Sequence, residues 1–539
     1  MYCTLYKLCS SFFLTRGLTR RIEHRMRILY PSNASHIYKL TVRMLMSVLM
    51  CGGMVIAGMI ALGRISMYYV MLTAAVVYVV IDNMVYEKLA DMEYRLLVEF
   101  EKFITDVRFH FQYDGMIEAA IEEAVNSSEY IMAIHGHQIS EYLRENAGRS
   151  DISEYKEVSP NAYFLTFYTL CETVMTFGDR VVDGQSFFMK NIGYIKDDIG
   201  AELINREKVR SSFMGLKMLS ILPVFSIKLI ETWAISNMGG MEQFYYSQKG
   251  SITTTAVIII ALCTYILINR LKYPDSFSKT KEQWIGQLLS NDIVENIVMN
   301  HIGRHYRHYF KMDRLLKSIA SQYNVKEFLV KRVVTSFIAM IIVTVFDLSI
   351  GLLSNIPAMV ISVLLCGLIA YHYHYMMILF KKQMIQLERE NEIVRFQSVI
   401  LILMHMEWTT VNRILNWLED FASVFKYDIE KMNDQLCYKG YRVFEEMIQK
   451  SGFLPFERLL KSFLACDRVG IEDAFSGIES DRNYYFEKHK QMNEKNLNNR
   501  SVVAKAASFI PMCSVIAFEL IIPFVMEGLK QLQSFTAAL

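Results

Sequence analysis

Three carboxylates, Glu231, Asp347 and Glu519, lie inside apolar stretches of the kind that cross membranes. A carboxylate facing lipid at depth costs at least ~2.5–3.5 kcal/mol even on lenient insertion scales. These acids must therefore face a protein interior, protonate, or lie near the outer interface. Hydrogen bonding across helices or capping of an unwound turn is the structural reading of them. An ion or proton pathway, or contact with a passing transmembrane helix, is the functional one. Two of the three share their surroundings: LPVFSIKLIE at 222–231 and IPMCSVIAFE at 510–519 align without a gap, 288 positions apart (511 − 223). Pro223 pairs with Pro511, Ser226 with Ser514 and Glu231 with Glu519, whereas Lys228 faces Ile516. A proline within a helix frees a backbone carbonyl and kinks the axis. Neighbouring helices, or Ser226 and Ser514, are placed to compensate.

The match continues upstream at the same offset. FGDRVVDGQSFF at 177–188 faces ACDRVGIEDAFS at 465–476, so Asp179 and Arg180 recur as Asp467 and Arg468. At an offset of 294, DGMIEAAIEEA lies over WTTVNRILNWL and shares its apolar pattern: Ile117/Val411, Ala120/Ile414, Ile121/Leu415 and Ala124/Leu418. The chain thus reads as two parallel copies of one unit.

What positions these residues must be helical. Of 539 residues 53% are hydrophobic, with a mean hydropathy of +0.21 and only 8 prolines and 25 glycines, which favours long helices over strands and turns. Apolar stretches of about 20 residues, the length a span needs, fall at 44–62, 66–85, 213–235, 252–270, 333–353, 356–378 and 503–526. The expectation is an all-α polytopic membrane protein with about seven transmembrane helices and two cytoplasmic helical bundles related by a parallel internal repeat. Residues 1–43 hold eight Lys and Arg against one acid, and 271–332 hold eleven against six. The opposite loops are nearly free of them, so the N-terminus is expected on the cytoplasmic side. The domain sequence follows. A basic N-terminal segment (1–43) and a transmembrane pair (44–85) precede the first bundle (86–212). A second pair (213–270), a basic linker (271–332) and a third pair (333–378) precede the second bundle (379–502). A final span (503–526) and a tail (527–539) complete it. Positions 96, 97, 100, 103, 104, 107 and 111 mark the buried face of a helix in the first bundle, and Ser159-Pro160 and Gly452 to Pro455 mark breaks.

Several chemistries are excluded. The net charge of +2 gives no basis for nucleic acid as a bulk partner. None of the nine cysteines forms a C-x-x-C pair, against zinc and a disulfide framework. There is no P-loop, H-E-x-x-H, G-x-S-x-G or G-x-G-x-x-G run, so no enzyme activity, cofactor or metal is expected. His301, His305 and His308 have spacings that could share a helical face. With Tyr306, Tyr309 and several arginines beside them, a membrane-surface or partner-contact helix is the stronger reading.

Two spans, a cytoplasmic helical bundle with a D-R turn, and a returning helix with an early proline resemble the type II secretion system F family. Within it they are most similar to the TadB/TadC-like inner-membrane platform proteins of Tad/Flp pili, here as two modules on one chain. The resemblance implies a multi-pass protein of the bacterial inner membrane that acts beneath a growing pilus or pseudopilus. It implies a hexameric cytoplasmic ATPase as partner in trans, pilin or pseudopilin transmembrane helices as cargo, and a homo-oligomer. Asp179-Arg180 and Asp467-Arg468 are then either ion pairs and caps that fix the bundles or contacts with the motor. The rival readings are a transporter or channel using the intramembrane carboxylates, and a signal-relaying receptor or scaffold.

Overall fold

The computed structural model describes residues 2–11, 13–31, 34–61, 67–145, 153–182, 184–272, 283–290, 292–318, 323–350, 356–405 and 409–538. These residues are overwhelmingly helical, as expected, and they divide into two compact units, each stitched from three chain segments.

The first unit comprises Met1–Val48, Met84–Lys208 and Gln386–Lys495. It opens with α1 (Tyr2–Ser11), α2 (Phe13–Leu29) and the start of α3 (Ala34–Ala61). The C-terminal part of α4 (Met67–Asp114) leads into α5 (Ile117–Ser127), α6 (Tyr130–Glu145), α7 (Ser153–Val158), α8 (Ala162–Phe177) and most of α9 (Phe187–Ser212). Between α8 and α9 a two-residue hairpin pairs β1 (Val181–Val182) antiparallel with β2 (Gln185–Ser186), the one extended element among the described residues. The remainder of this unit comes from later in the chain, and the helices between the two parts belong to the second unit.

The second unit comprises Leu49–Asn83, Val209–Ile385 and Asn496–Leu539. After the ends of α3 and α9 and the start of α4 come α10 (Leu216–Asn237), α11 (Met241–Tyr245) and α12 (Gln248–Lys272). Three short helices, α13 (Gln283–Leu289), α14 (Asp292–Arg304) and α15 (Tyr306–Ser318), pack against α16 (Val325–Ile350). The N-terminal part of α17 (Ile356–Leu403) follows. Its C-terminal part returns to the first unit, which continues with α18 (Val411–Phe421), α19 (Lys426–Lys439), α20 (Arg442–Ser451), α21 (Leu454–Val469) and most of α22 (Ile471–Ser508). The chain ends in the second unit with α23 (Ile510–Val515), a π turn over Ile516–Ile521 and α24 (Ile522–Ala538).

Local signals explain the boundaries within the first unit. Asn161 caps α8 by accepting from the N–H groups of Tyr163 (2.9 Å) and Phe164 (3.2 Å). Gly178 (φ +78°) ends the same helix and Gly470 (φ +86°) ends α21, each in a conformation that only glycine adopts freely. The breaks expected at Ser159-Pro160 and at Gly452 fall between α7 and α8 and between α20 and α21. All seven residues expected on the buried face of α4, from Leu96 to Phe111, are buried. Both members of each pair at offset 294, from Ile117/Val411 to Ala124/Leu418, are buried as well.

The two expected bundles do not have separate cores. One apolar cluster runs from Leu96 through Phe188 and Ile199 to Phe396, Phe456 and Phe475. Phe100 stacks on Phe164 at 3.7 Å in the earlier half, and Phe425 on Phe456 at 4.3 Å in the later one. Segments 84–208 and 386–495 both contribute side chains to this one cluster. Lys156 and Asp420 pair across the halves at 2.9 Å, and Arg482 pairs with Asp198 at 3.1 Å while lying over the Tyr194 ring.

Seven spans were expected, and four helices are long and apolar enough to cross a membrane among the described residues. They are Ser35–Gly58, Phe187–Asn237 (α9 running into α10), Gln248–Lys272 and Phe486–Gln533 (α22 running through to α24), which hold the expected stretches at 213–235, 252–270 and 503–526 and most of 44–62. The other three stretches lie in α4, α16 and α17, where only Val363–Ile378 stands out, as a shorter apolar helix. Residue 66 of the first of these stretches and residues 351–353 of the second lie outside the described residues.

Candidate functional site

In the second unit α10, α12 and the α23–π–α24 segment pack together around Val224, Ile227, Val257, Ile258, Ala261 and Val515. Pro223 and Pro511 both enter this bundle, in different local settings. Pro223 lies within α10, eight residues after Gly215 (φ +78°), which separates α9 from α10. Pro511 occupies the first turn of α23, where a missing N–H costs nothing. The two serines behave alike: Ser226 donates to the Pro223 carbonyl and Ser514 to the Pro511 carbonyl, each at 2.7 Å. They therefore do not replace the bond that a proline takes from the carbonyl four residues earlier. They add a donor to the proline's own carbonyl and hold the turn on its C-terminal side.

Glu231 is 3% exposed and Glu519 1% exposed, so neither faces lipid. Lys228, which has no counterpart in the other segment, places its Nζ 3.5 Å from Glu231 Oε2. Glu519 sits in the π turn, whose extra residue re-aims side chains relative to α23. The Tyr245 hydroxyl donates to the Glu519 carbonyl at 2.5 Å. A Cβ on Gly250 would lie 2.6 Å from the carbonyl oxygens of Phe244 and Tyr245, so only glycine lets α12 start this close to α11. The same bundle buries Thr253, Thr254 and Thr255, whose hydroxyls bond to carbonyls of the preceding turn. A narrow apolar recess is lined by Val55, Val76, Ile221, Val224, Phe225 and Tyr265 among others.

Asp347 is also buried, on α16. Close contacts join α16 to α17: Ser336 donates to the Gly367 carbonyl at 2.8 Å, and Arg332 donates to the Tyr371 carbonyl at 3.1 Å.

The two Asp-Arg pairs are not placed alike. The Asp179 carboxylate accepts from the Phe188 N–H at 2.9 Å and so caps α9, while Arg180 donates to the His405 carbonyl at 3.4 Å. Asp467 and Arg468 lie exposed in the last turn of α21. The difference follows from where the helices end: Gly178 precedes Asp179, but Gly470 follows Arg468.

Sequence reasoning overlooked three polar anchors of the first unit. Glu392, fully buried, accepts from the N–H groups of Ser423 (2.8 Å), Val424 (2.6 Å) and Phe425 (3.0 Å) at the start of α19. Its signal was an acid on the apolar face of a long helix. Asp198 joins Arg482 to Ser398, which donates to it at 3.0 Å. His135 is buried with Nε2 3.1 Å from the Leu29 carbonyl, and burial lowers its pKa to about 4. Its neutral ring therefore carries the proton on Nε2. The three histidines at 301, 305 and 308 are exposed, with His301 against the His305 ring at 5.1 Å, and no cluster fit for a metal occurs among the described residues.

Together the fold and the buried carboxylates define a class: an all-α protein with several long apolar helices, compatible with multiple passes through a membrane. No protein-family model, curated protein or solved structure matches this chain.

Proposed function

We propose that this chain is an inner-membrane platform protein of a Tad-like pilus or type II secretion system, coupling a cytoplasmic assembly ATPase to the extraction of pilin subunits. The observation that carries the reading is the succession of helices in the two halves of the first unit. From α5 to α8 the lengths are 11, 16, 6 and 16 residues, and from α18 to α21 they are 11, 14, 10 and 16. Each series then enters a long helix leading to a proline, a serine bonded to that proline's carbonyl, and a buried glutamate. In this reading the chain holds two parallel modules and seven spans, its N-terminus is cytoplasmic, and it works as a homo-oligomer. The exposed faces of the first unit receive the motor, and pilin helices pass the second.

Piliation and co-purification test the proposal. Deleting the gene should abolish surface pilin, and the tagged chain should retain a hexameric secretion ATPase. Arg468, exposed, is a cleaner probe than Arg180, which is tied to His405. Arg468→Glu should weaken ATPase retention without changing the melting profile. Normal surface pilin in the deletion strain would overturn the proposal. The buried carboxylates Glu231, Asp347 and Glu519 favour a transporter or channel as second reading. It gains ground if Glu231→Gln and Glu519→Gln abolish solute or proton flux while surface pilin is unaffected.

A further inference from the structure

Between α12 and α16, the short helices α14 and α15 each present two unlike faces. On α14 Val298 is buried, while Ile293 and Ile297, one turn apart, are 70% and 65% exposed. On α15 Tyr309, Met312 and Leu316 are buried, while Tyr306 and Phe310 are 64% and 42% exposed with their rings stacked at 5.8 Å. Exposed cations flank these apolar groups: Arg304 at the end of α14, and Arg307 and Lys311 on α15. Large apolar side chains held outward beside cations are costly in water. They suit a surface that is apolar below and anionic above.

The contacts of these helices fix the level at which that surface must lie. Lys326, in the first turn of α16, pairs with Glu295 of α14 at 2.8 Å. Arg332, a turn and a half further on, lies over the Tyr371 ring at 3.9 Å. The His308 ring stands 6.4 Å from Tyr375 on α17. Beyond Arg332 the exposed residues of α16 turn apolar, with Phe337 at 59% and Ile341 at 62%. Lysine and tyrosine over a buried arginine, directly before an apolar helical surface, mark the level of a headgroup layer, and α14 and α15 are attached there.

The geometry points to α14 and α15 as an interfacial anchor on an anionic phospholipid leaflet. Ile293, Ile297, Tyr306 and Phe310 enter the headgroup–acyl boundary, and Arg304, Arg307 and Lys311 meet lipid phosphates. The anchor rests on the membrane reading of the chain but not on the platform role. It holds the base of α16 at a fixed depth.

An environment-sensitive fluorescent amino acid in place of Ile297, or of Tyr306, reads the anchor directly in the full chain. A third site, Ile259 on α12 (46% exposed), serves as the membrane control. The protein is reconstituted in phosphatidylcholine vesicles with or without phosphatidylglycerol. Quenching by shallow doxyl-phosphatidylcholine is compared with quenching by aqueous iodide. With phosphatidylglycerol, both anchor sites should shift to the blue and be quenched mainly by doxyl lipid. That quenching should fall without the anionic lipid and in the R304E/R307E/K311E variant. Dominant iodide quenching in both vesicles overturns the anchor and leaves α14 and α15 as a surface for a protein partner. Equal doxyl quenching with and without phosphatidylglycerol overturns the recognition of anionic lipid. Iodide quenching at Ile259 sinks the membrane reading itself and the anchor with it.

Discussion

Glu392 lies in the core of the first unit, where three consecutive N–H groups at the start of α19 point at its side chain. Donors at a helix N-terminus stabilise a carboxylate well beyond a neutral acceptor. Glu392→Ala leaves those donors buried and empty and should destabilise the unit by about 2–4 kcal/mol, read by urea unfolding. His135 sets a pH dependence of definite sign. Its pKa lies near 4 in the folded protein and near 6.5 in the unfolded chain, so the unfolded state binds the proton first as pH falls. The stabilisation is complete above about pH 6.5 and is lost toward pH 4, by about 2 kcal/mol at pH 5. His135→Gln should flatten that limb of the urea midpoint against pH. The core positions of α4 were legible because apolar residues repeat with helical period. Glu392 and His135 were not, because a buried polar residue is recognised by its partner, here 31–33 residues or 106 residues away.

At the scale of elements, close approach rather than composition decides the geometry. Gly250 lets α11 fold back on α12 with two carbonyls where a Cβ would stand, and these are backbone atoms that cannot swing aside. Gly250→Ala should move α11, break the Tyr245–Glu519 contact and lower the melting temperature in detergent. The expected cost is about 1–3 kcal/mol, as for overpacking elsewhere. Gly136 is the counterpart in the first unit, since its Cβ would lie 2.4 Å from Val125 and 3.2 Å from Phe103. Gly136→Val should separate α6 from α4 and α5 and accelerate proteolysis of the first unit. Helix existence and the breaks at Ser159-Pro160 and Gly452 followed from sequence because Pro and Gly act locally. The hairpin at Val181–Ser186 did not. Its four strand residues carry no alternating pattern, and only the early end of α8 leaves room for it.

For the whole molecule, the main departure is that 84–208 and 386–495 build one core. Periodicity shows which face of a helix is buried but not which helix covers it, so two separate bundles were the natural expectation. The 84–208 fragment alone should bind a hydrophobic dye and melt without cooperativity. Co-expression with 386–495 should restore a cooperative transition. Equal cooperativity of the lone fragment would show that the shared cluster contributes little.

The three-segment construction also imposes an order in time. When residues 84–208 leave the ribosome, the segment that completes their core has not been made, and 209–385 must first be synthesised and placed. The earlier segment therefore spends that interval with apolar surface uncovered, the state in which nascent chains aggregate or recruit chaperones. Biogenesis of this protein is thus a waiting problem, and slowing translation between 209 and 385 should lower its yield more than slowing it after 495.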